Sequence, residues 1–327
     1  MKSPRNSTSP VNFGVYAAVG PGAQEVPRIR DLVESILAHE PATPFILFVD
    51  DSLEDRDLVG QLRLPQTCAA ISIIHPRHGK GNGQFGPQFA TNLISANWFA
   101  RNTNVEFVLK MDTDALVIGP FAEQLSQLFA RESGIGIVGV LGRTCNKSSR
   151  EYHAFGEVET LMKSVLRMGP EIEDARWIEG QGGKIHIPGM GIWNRSMLQA
   201  LAIIRRDLIV AVQRGYTLGQ YIQGGSYAIS PQLIRFLAQL YAERPLENWY
   251  ELPFPEDVIM AVYCGLASLG LREQYEPFNV FGVQYKGLSS APQEMLDSGY
   301  KLIHSLKNDP SYSESAIREF FMKARNG

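Results

Sequence analysis

The sequence predicts an α/β protein with a mainly parallel sheet flanked by helices in its first part, joined to a less regular second part. Three observations carry this. Short apolar runs of strand length alternate with segments of helical apolar spacing over residues 11–120. Those runs are continuous rather than alternating, as in strands covered on both faces. Two of them end in acidic residues, and parallel sheets bind ligands beyond the carboxyl ends of their strands.

The elements follow in order. Residues 1–10, polar and rich in Ser and Pro, read as a disordered tail. Residues 11–19 (VNFGVYAAV) are β-rich and end at the turn signal Gly20-Pro21-Gly22. Val26, Ile29, Leu32, Val33, Ile36 and Leu37 predict a helix over 25–39, which Pro41 and Pro44 stop. The run 44–49 (PFILFV) predicts a buried strand ending in Asp50-Asp51-Ser52. A short helix over 54–62, a third strand over 69–75 and a Gly-rich loop over 78–85 come next. A helix over 90–102 leads into a strand over 105–111 and then Asp112-Thr113-Asp114. Further on, helices are predicted over 121–131, 158–168, 196–214, 256–269 and 313–324, with Gly-rich stretches at 180–191 and 224–225.

Composition narrows the class. The chain has 327 residues, 44% hydrophobic and 20% charged, long enough for a large folded core. Lys and Arg number 31 against 34 Asp and Glu, a net charge of −3, which gives no support to nucleic-acid binding. The three cysteines, Cys68, Cys145 and Cys264, form neither a disulfide framework nor a metal knuckle. Unpaired cysteines and no apolar leader or membrane-length run lead to the expectation of a soluble, cytoplasmic protein.

Four motifs bear chemistry. In FVLKMDTD (107–114), residues two apart share a face if the extended geometry persists, so Asp112 and Asp114 would point together. Paired carboxylates of this kind suit Mg²⁺ or Mn²⁺; chance D-x-D turns are common, but few follow a buried parallel strand. PFPEDV (253–258) opens a helix with Glu256 and Asp257, residues that serve equally as helix-terminal acids or as a general base. GGSYAIS (224–230) offers close backbone approach at its glycines and a capping Ser230 before Pro231. IHSLK (303–307) carries His304, which alone reads as structural. A G-x-G-x-x-G match at 81–86 competes as a dinucleotide fingerprint. It lies away from the first strand, is followed by Pro87, and reads better as a loop closing over substrate.

Taken in order, Asn92-Leu93, FVLKMDTDALV (107–117), GGSYAIS (224–230) and EDVIMAV (256–262) resemble a GT-A-fold glycosyltransferase. They are most similar to the inverting β-1,3-galactosyltransferase and Fringe-like family. The resemblance implies a GT-A fold: a nucleotide-sugar-binding half over 11–120 and an acceptor-binding half over 121–327, in one composite domain. It implies a nucleotide-diphosphate sugar donor of UDP type, a Mn²⁺ or Mg²⁺ cofactor, and a glycan, lipid or protein acceptor.

By the same resemblance Asp112, Asp114 and His304 would form the metal site. Ala18, Val19, Asp50, Asp51, Lys110 and Thr113 would contact the donor, with Lys110 near its phosphates. Asp257 would be the base that deprotonates the acceptor, and Glu256, Gly225 and Tyr227 would shape the acceptor side. The chain departs from the family at Ala96, where a lysine is expected, and over 142–191, where no family motif aligns. Tyr152, Trp177 and Trp193 in that insert are candidates for stacking on sugar rings. Two further readings use the same fold: a sugar-phosphate nucleotidyltransferase and a non-catalytic nucleotide- or sugar-binding protein.

Overall fold

The structure, a computed structural model, describes residues 11–327 other than 43, 55, 66–67, 77–84, 143–148, 170–183, 188–190, 253 and 275–278. The expected tail over 1–10 and nearly all of the Gly-rich loop lie outside the described residues, as does Trp177. The side chains of Tyr152 and Trp193 do so too.

A seven-stranded sheet forms the centre. Its strands are β1 (Phe13–Val19), β2 (Phe45–Asp50), β3 (Ala69–Ile74), β4 (Phe107–Met111), β6 (Ile135–Gly139), β9 (Ser226–Ile229) and β10 (Gly270–Glu273). Their spatial order is β10-β6-β9-β4-β1-β2-β3. The ladders β1–β2, β2–β3, β1–β4 and β6–β10 are parallel, while β9 runs antiparallel to both β4 and β6. The fold is thus mixed α/β with a mostly parallel central sheet. Strands from the stretches before and after residue 120 share that one sheet.

The inner strands β1 and β2 are covered on both faces, which is why they read as unbroken apolar runs. In β2, Ile46 and Phe48 pack with Ile29 and Val33 of α1 (Glu25–His39). Leu47 and Val49 pack on the other face with Phe89 and Leu93 of α3 (Phe85–Asn102). The helix α3 begins five residues earlier than the sequence predicts. Pro87 does not delay it, because proline is tolerated in a first turn where the N–H has no intrahelical partner. The short helix α2 (Leu58–Leu62) is shorter than predicted.

The second part adds α4 (Ala122–Arg131), α5 (Ser149–Arg167), α6 (Arg195–Gln213), α7 (Pro231–Glu243), α8 (Glu247–Tyr250), α9 (Glu256–Leu266), α10 (Pro292–Asp297) and α11 (Glu314–Asn326). Ser230 caps α7 by accepting from the Leu233 N–H, with Pro231 in the first turn, as its sequence suggests. A hairpin pairs β7 (Lys184–Ile187) with β8 (Gly191–Asn194). A small sheet positions the site. In it β5 (Leu116–Val117) runs antiparallel to β12 (Leu302–His304), which runs parallel to β11 (Phe281–Val283). Among the described residues no helix is long and apolar enough to cross a membrane.

One buried acid ties the two parts together. The residue that precedes helix α4, Phe121, has no side chain able to cap it. Glu40, 7% exposed, supplies the acceptor instead: its Oε1 takes the N–H groups of Phe121 (2.6 Å) and Ala122 (3.0 Å). Burial raises its pKa, and these bonds oppose the rise. Glu40→Ala should therefore lower unfolding stability by about 1–3 kcal/mol, the cost of stranding buried donors. Glu40→Gln, which keeps an acceptor oxygen, should lose less. Urea denaturation of the two variants checks this, and equal loss in both would refute it.

Candidate functional site

The spatial order of the strands turns back between β1 and β4, and a crevice opens there beyond their carboxyl ends. Ala18, Val19 and Gly20 line it from β1 and its exit turn, Asp51 from the end of β2, and Asp112, Thr113 and Asp114 from the end of β4. His75, Thr91, Glu25 and Lys307 also line it.

The acidic residues do not continue the strand. Ala115 N–H bonds Asp112 O at 3.1 Å, closing a turn, and Asp112 N–H bonds Gly225 O at 2.9 Å. The two carboxylates converge all the same. His304 Nε2 lies 3.4 Å from Asp112 Oδ2 and 3.4 Å from Asp114 Oδ1. Its Nδ1 donates to Gln284 O at 3.0 Å, which turns Nε2 toward the acids. Burial opposes a charge on the imidazole, but the two carboxylates outweigh it and bring His304 up to about 9. Asp114 is fully buried; burial would raise its pKa, but His304, Lys307 and Ser305 hold it far below the usual carboxylate range. Ser305 Oγ donates to Asp114 Oδ2 at 2.8 Å, and Lys307 Nζ to Oδ1 at 3.2 Å. The ligand atoms of Asp112, Asp114 and His304 all lie within 4.8 Å of one another. Two carboxylates and one imidazole nitrogen, oriented by outer hydrogen bonds, fit a hard divalent cation such as Mn²⁺ or Mg²⁺.

Gly225 makes this convergence possible. A Cβ there would lie 2.0 Å from His304 Nδ1. Gly225, expected on the acceptor side, packs against the His304 ring, where a side chain would have no space.

Lys110, expected near the donor phosphates, is turned inward. It is 5% exposed and its three N–H groups are spent on Asp112 Oδ1 (2.5 Å), Glu256 Oε1 (3.0 Å) and the Gly224 carbonyl. Burial would lower its pKa, but Asp112 and Glu256 hold it charged. It is an internal counter-ion with no donor left for a phosphate. Among the described residues the lysine that lines the crevice is Lys307, whose side chain is 44% exposed. No motif announces Lys307 or Ser305; their only sequence signal is proximity to His304.

Two more expectations change. Asp50 does not reach the crevice, because Arg56 holds both its oxygens (2.8 and 2.9 Å) and Ser52 Oγ donates to Oδ1 at 2.7 Å. Its neighbour Asp51 does: it is 8% exposed, and neither of its oxygens has a hydrogen-bond partner. Such orphaned acceptors are costly unless a ligand supplies donors. Tyr227 is 1% exposed, and its hydroxyl accepts from Asn92 Nδ2 at 3.3 Å while Asn92 Oδ1 takes the Tyr16 hydroxyl at 2.9 Å. This buried chain keeps Tyr227 away from any acceptor. Thr113 lines the crevice but donates its hydroxyl to Glu25.

Glu256 and Asp257 open α9. Glu256 is 6% exposed and keeps Oε2 without a partner. Asp257 is half-buried, and its Oδ1 accepts from Val258 N–H at 2.8 Å. Burial and the Glu256 charge push Asp257 up to about 8. A Cβ on Gly224 would lie 3.3 Å from Asp257 Oδ2, and Gly225 abuts His304. The two-glycine step thus connects the acid on α9 to the acidic cluster.

No protein-family model matches the chain, and no curated protein matches it. Solved structures that resemble it include a bifunctional glycosyltransferase, WbbM, at 12% identity and a TM-score of 0.47, covering 98% of this chain and 50% of that one. Mouse xyloside xylosyltransferase 1 has 10% identity and a TM-score of 0.44, with 92% and 100% covered. Core-mannan synthase A from Aspergillus fumigatus, solved in a Mn/GDP form, has 8% identity and a TM-score of 0.42, with 83% and 74% covered. The chain spans half the length of WbbM. With TM-scores below 0.5, none of these likenesses bears on activity; the side-chain geometry does.

Gly225→Ala should displace His304 and weaken Mn²⁺ binding at least tenfold while leaving the far-ultraviolet circular dichroism unchanged. Calorimetric titration with Mn²⁺ measures it, and wild-type affinity in the variant would refute the steric role.

Proposed function

We propose that the chain is a metal-dependent glycosyltransferase, moving a sugar from a nucleoside-diphosphate donor to an acceptor hydroxyl. The observation that carries this reading is the cluster Asp112–Asp114–His304 at the switch-point crevice, which also holds the unpartnered Asp51. The ordered motifs of the sequence support the GT-A reading, its inverting β-1,3-galactosyltransferase and Fringe-like branch, and a UDP-linked donor. Free Cys68 and Cys264 suit a reducing compartment and support a cytoplasmic placement.

Each residue has a task in that chemistry. Asp112, Asp114 and His304 would hold Mn²⁺ or Mg²⁺, which when bound neutralises charge on the departing diphosphate. Lys307, tethered by Asp114, presents its ammonium to the phosphate oxygens. The two free oxygens of Asp51 accept donors from the nucleoside, and Ala18 and Val19 wall its base. Asp257 takes the proton of the acceptor hydroxyl as that oxygen bonds to the sugar's anomeric carbon; the carbon–phosphate oxygen bond breaks and the nucleoside diphosphate leaves. Asp257 at about 8 has the basicity that such a role needs near neutral pH. Glu256 stays with Lys110 and sustains that pKa by its charge.

Thermal unfolding with UDP, GDP and CMP, each with and without Mn²⁺, tests donor binding. A nucleoside diphosphate should stabilise the chain only with metal, and Asp114→Ala should abolish the shift. No response to any nucleotide sinks the proposal.

The base has its own signature. Below a pH of about 8 Asp257 is protonated and cannot accept, so transfer should rise with pH and level off above that value. Asp257→Asn should keep the nucleotide-dependent shift and lose about 10²–10⁴-fold in turnover. Near-normal turnover in that variant would remove Asp257 from the role.

A further inference from the structure

We propose that Arg318, on the helix Glu314–Asn326, is a positioning residue that orients the acidic turn 112–114 for metal binding by gripping its central peptide. The proposal rests on the metal-site reading above.

Thr113 stands between the two carboxylates and is held at two points. Its hydroxyl donates to Glu25 Oε2, and its carbonyl accepts from Arg318 Nη2 at 3.2 Å. These two holds belong to one closed ring. Arg28 Nη1 donates to Glu25 Oε1 at 2.8 Å, and Arg28 Nε donates to Glu314 Oε1 at 2.8 Å. Arg318 Nε reaches the same Glu314 oxygen at 2.9 Å. The path Thr113–Glu25–Arg28–Glu314–Arg318 therefore returns to Thr113. Arg318 Nη1 is fixed in turn by Asp31 Oδ2 at 2.7 Å, so the guanidinium has three partners and its side chain is 14% exposed.

A guanidinium is planar, with donors in a rigid fork, so one arginine held on two edges has a single direction left for the third. Fixing both the hydroxyl and the carbonyl of Thr113 fixes its side-chain rotamer and the peptide plane that leads into Asp114. That plane sets where the backbone of Asp114 stands relative to Asp112. Outer groups of this kind commonly cost 10–100-fold in metal affinity when removed.

The bland alternative is a surface ion network that only docks the helix. Arg325 separates the two readings. It lies on the same helix and donates to the same Asp31, through Oδ1 at 2.7 Å, and to Glu34 at 3.5 Å, with no bond to Thr113. Removing Arg325 loosens the helix and spares the turn.

The experiment uses the full chain and three variants: Arg318→Ala, Arg318→Lys and Arg325→Ala. Mn²⁺ affinity is measured by electron paramagnetic resonance. Without metal, amide hydrogen exchange is followed at Ala115 and Leu306, whose N–H groups bond Asp112 O and Asp114 O at 3.1 Å each. Arg318→Ala should weaken Mn²⁺ binding tenfold or more and speed exchange at both amides. Arg318→Lys, which cannot span three acceptors, should fall between it and wild type, and it carries the test if the alanine variant does not fold. Arg325→Ala should match wild type in both readouts, whatever its melting temperature. Wild-type affinity and exchange in both Arg318 variants, or equal losses in Arg318→Ala and Arg325→Ala, would overturn the proposal. If the wild-type chain binds no Mn²⁺, the metal reading fails and the exchange comparison alone decides whether Arg318 orients the turn.

Discussion

Two residues of strand, Leu116 and Val117, pair antiparallel with Ile303 and Leu302, and through that short ladder His304 comes to lie against Asp112 and Asp114. The rest of the site depends on this pairing. The same stretch that delivers His304 delivers Ser305 and Lys307 to Asp114, and the Leu306 N–H to the Asp114 carbonyl. Gln284, which sets the imidazole's orientation, arrives through the parallel partner of that strand. A parallel sheet alone presents acids at a crevice; the small second sheet brings His304 and Lys307 against them.

Charge compensation links the two sides of the site. Lys110 lies between Asp112 on the side of His304 and Glu256 on the side of Asp257, with all its donors engaged. An ammonium buried this deeply is tolerable only because two carboxylates surround it. Its field in turn holds Asp112 low and opposes the rise at Glu256. The electrostatics of the acidic turn and of α9 are therefore one problem with one counter-ion at its centre.

The first strands of the sheet were legible in the sequence where helices cover both faces, whereas the equally buried Ile135–Gly139 was missed. The run Phe45–Val49 has no polar face because α1 and α3 cover it from opposite sides, so its pattern states its burial directly. The acidic turn and the α9 acids were legible because each sits at the end of a strongly patterned element. Less visible were Phe281–Val283 and Leu302–His304, strands too short for any period to register. The fates of Asp50 and Lys110 were hidden for another reason. Arg56, Gly224 and Glu256 claim them through space, and nothing in the local pattern distinguishes a side chain already spent from one still free. Lys307 and Arg318 were missed on the same ground.

The antiparallel strand β9 has a consequence for how the chain assembles. The strands β1 to β4 find their mutual partners within the first part of the chain, so that half of the sheet can zip as it emerges. Strand β6, the apolar run Ile135–Gly139, is made before either of its neighbours, β9 and β10. Until Ser226 is synthesised its edge has no ladder, and an unpaired apolar edge is a template for the wrong partner. The long insertion between β6 and β9 thus sets a waiting time during synthesis. Completion of the central sheet therefore waits on the closure of long loops, and long-range pairing of this kind is slow and exposed to aggregation meanwhile.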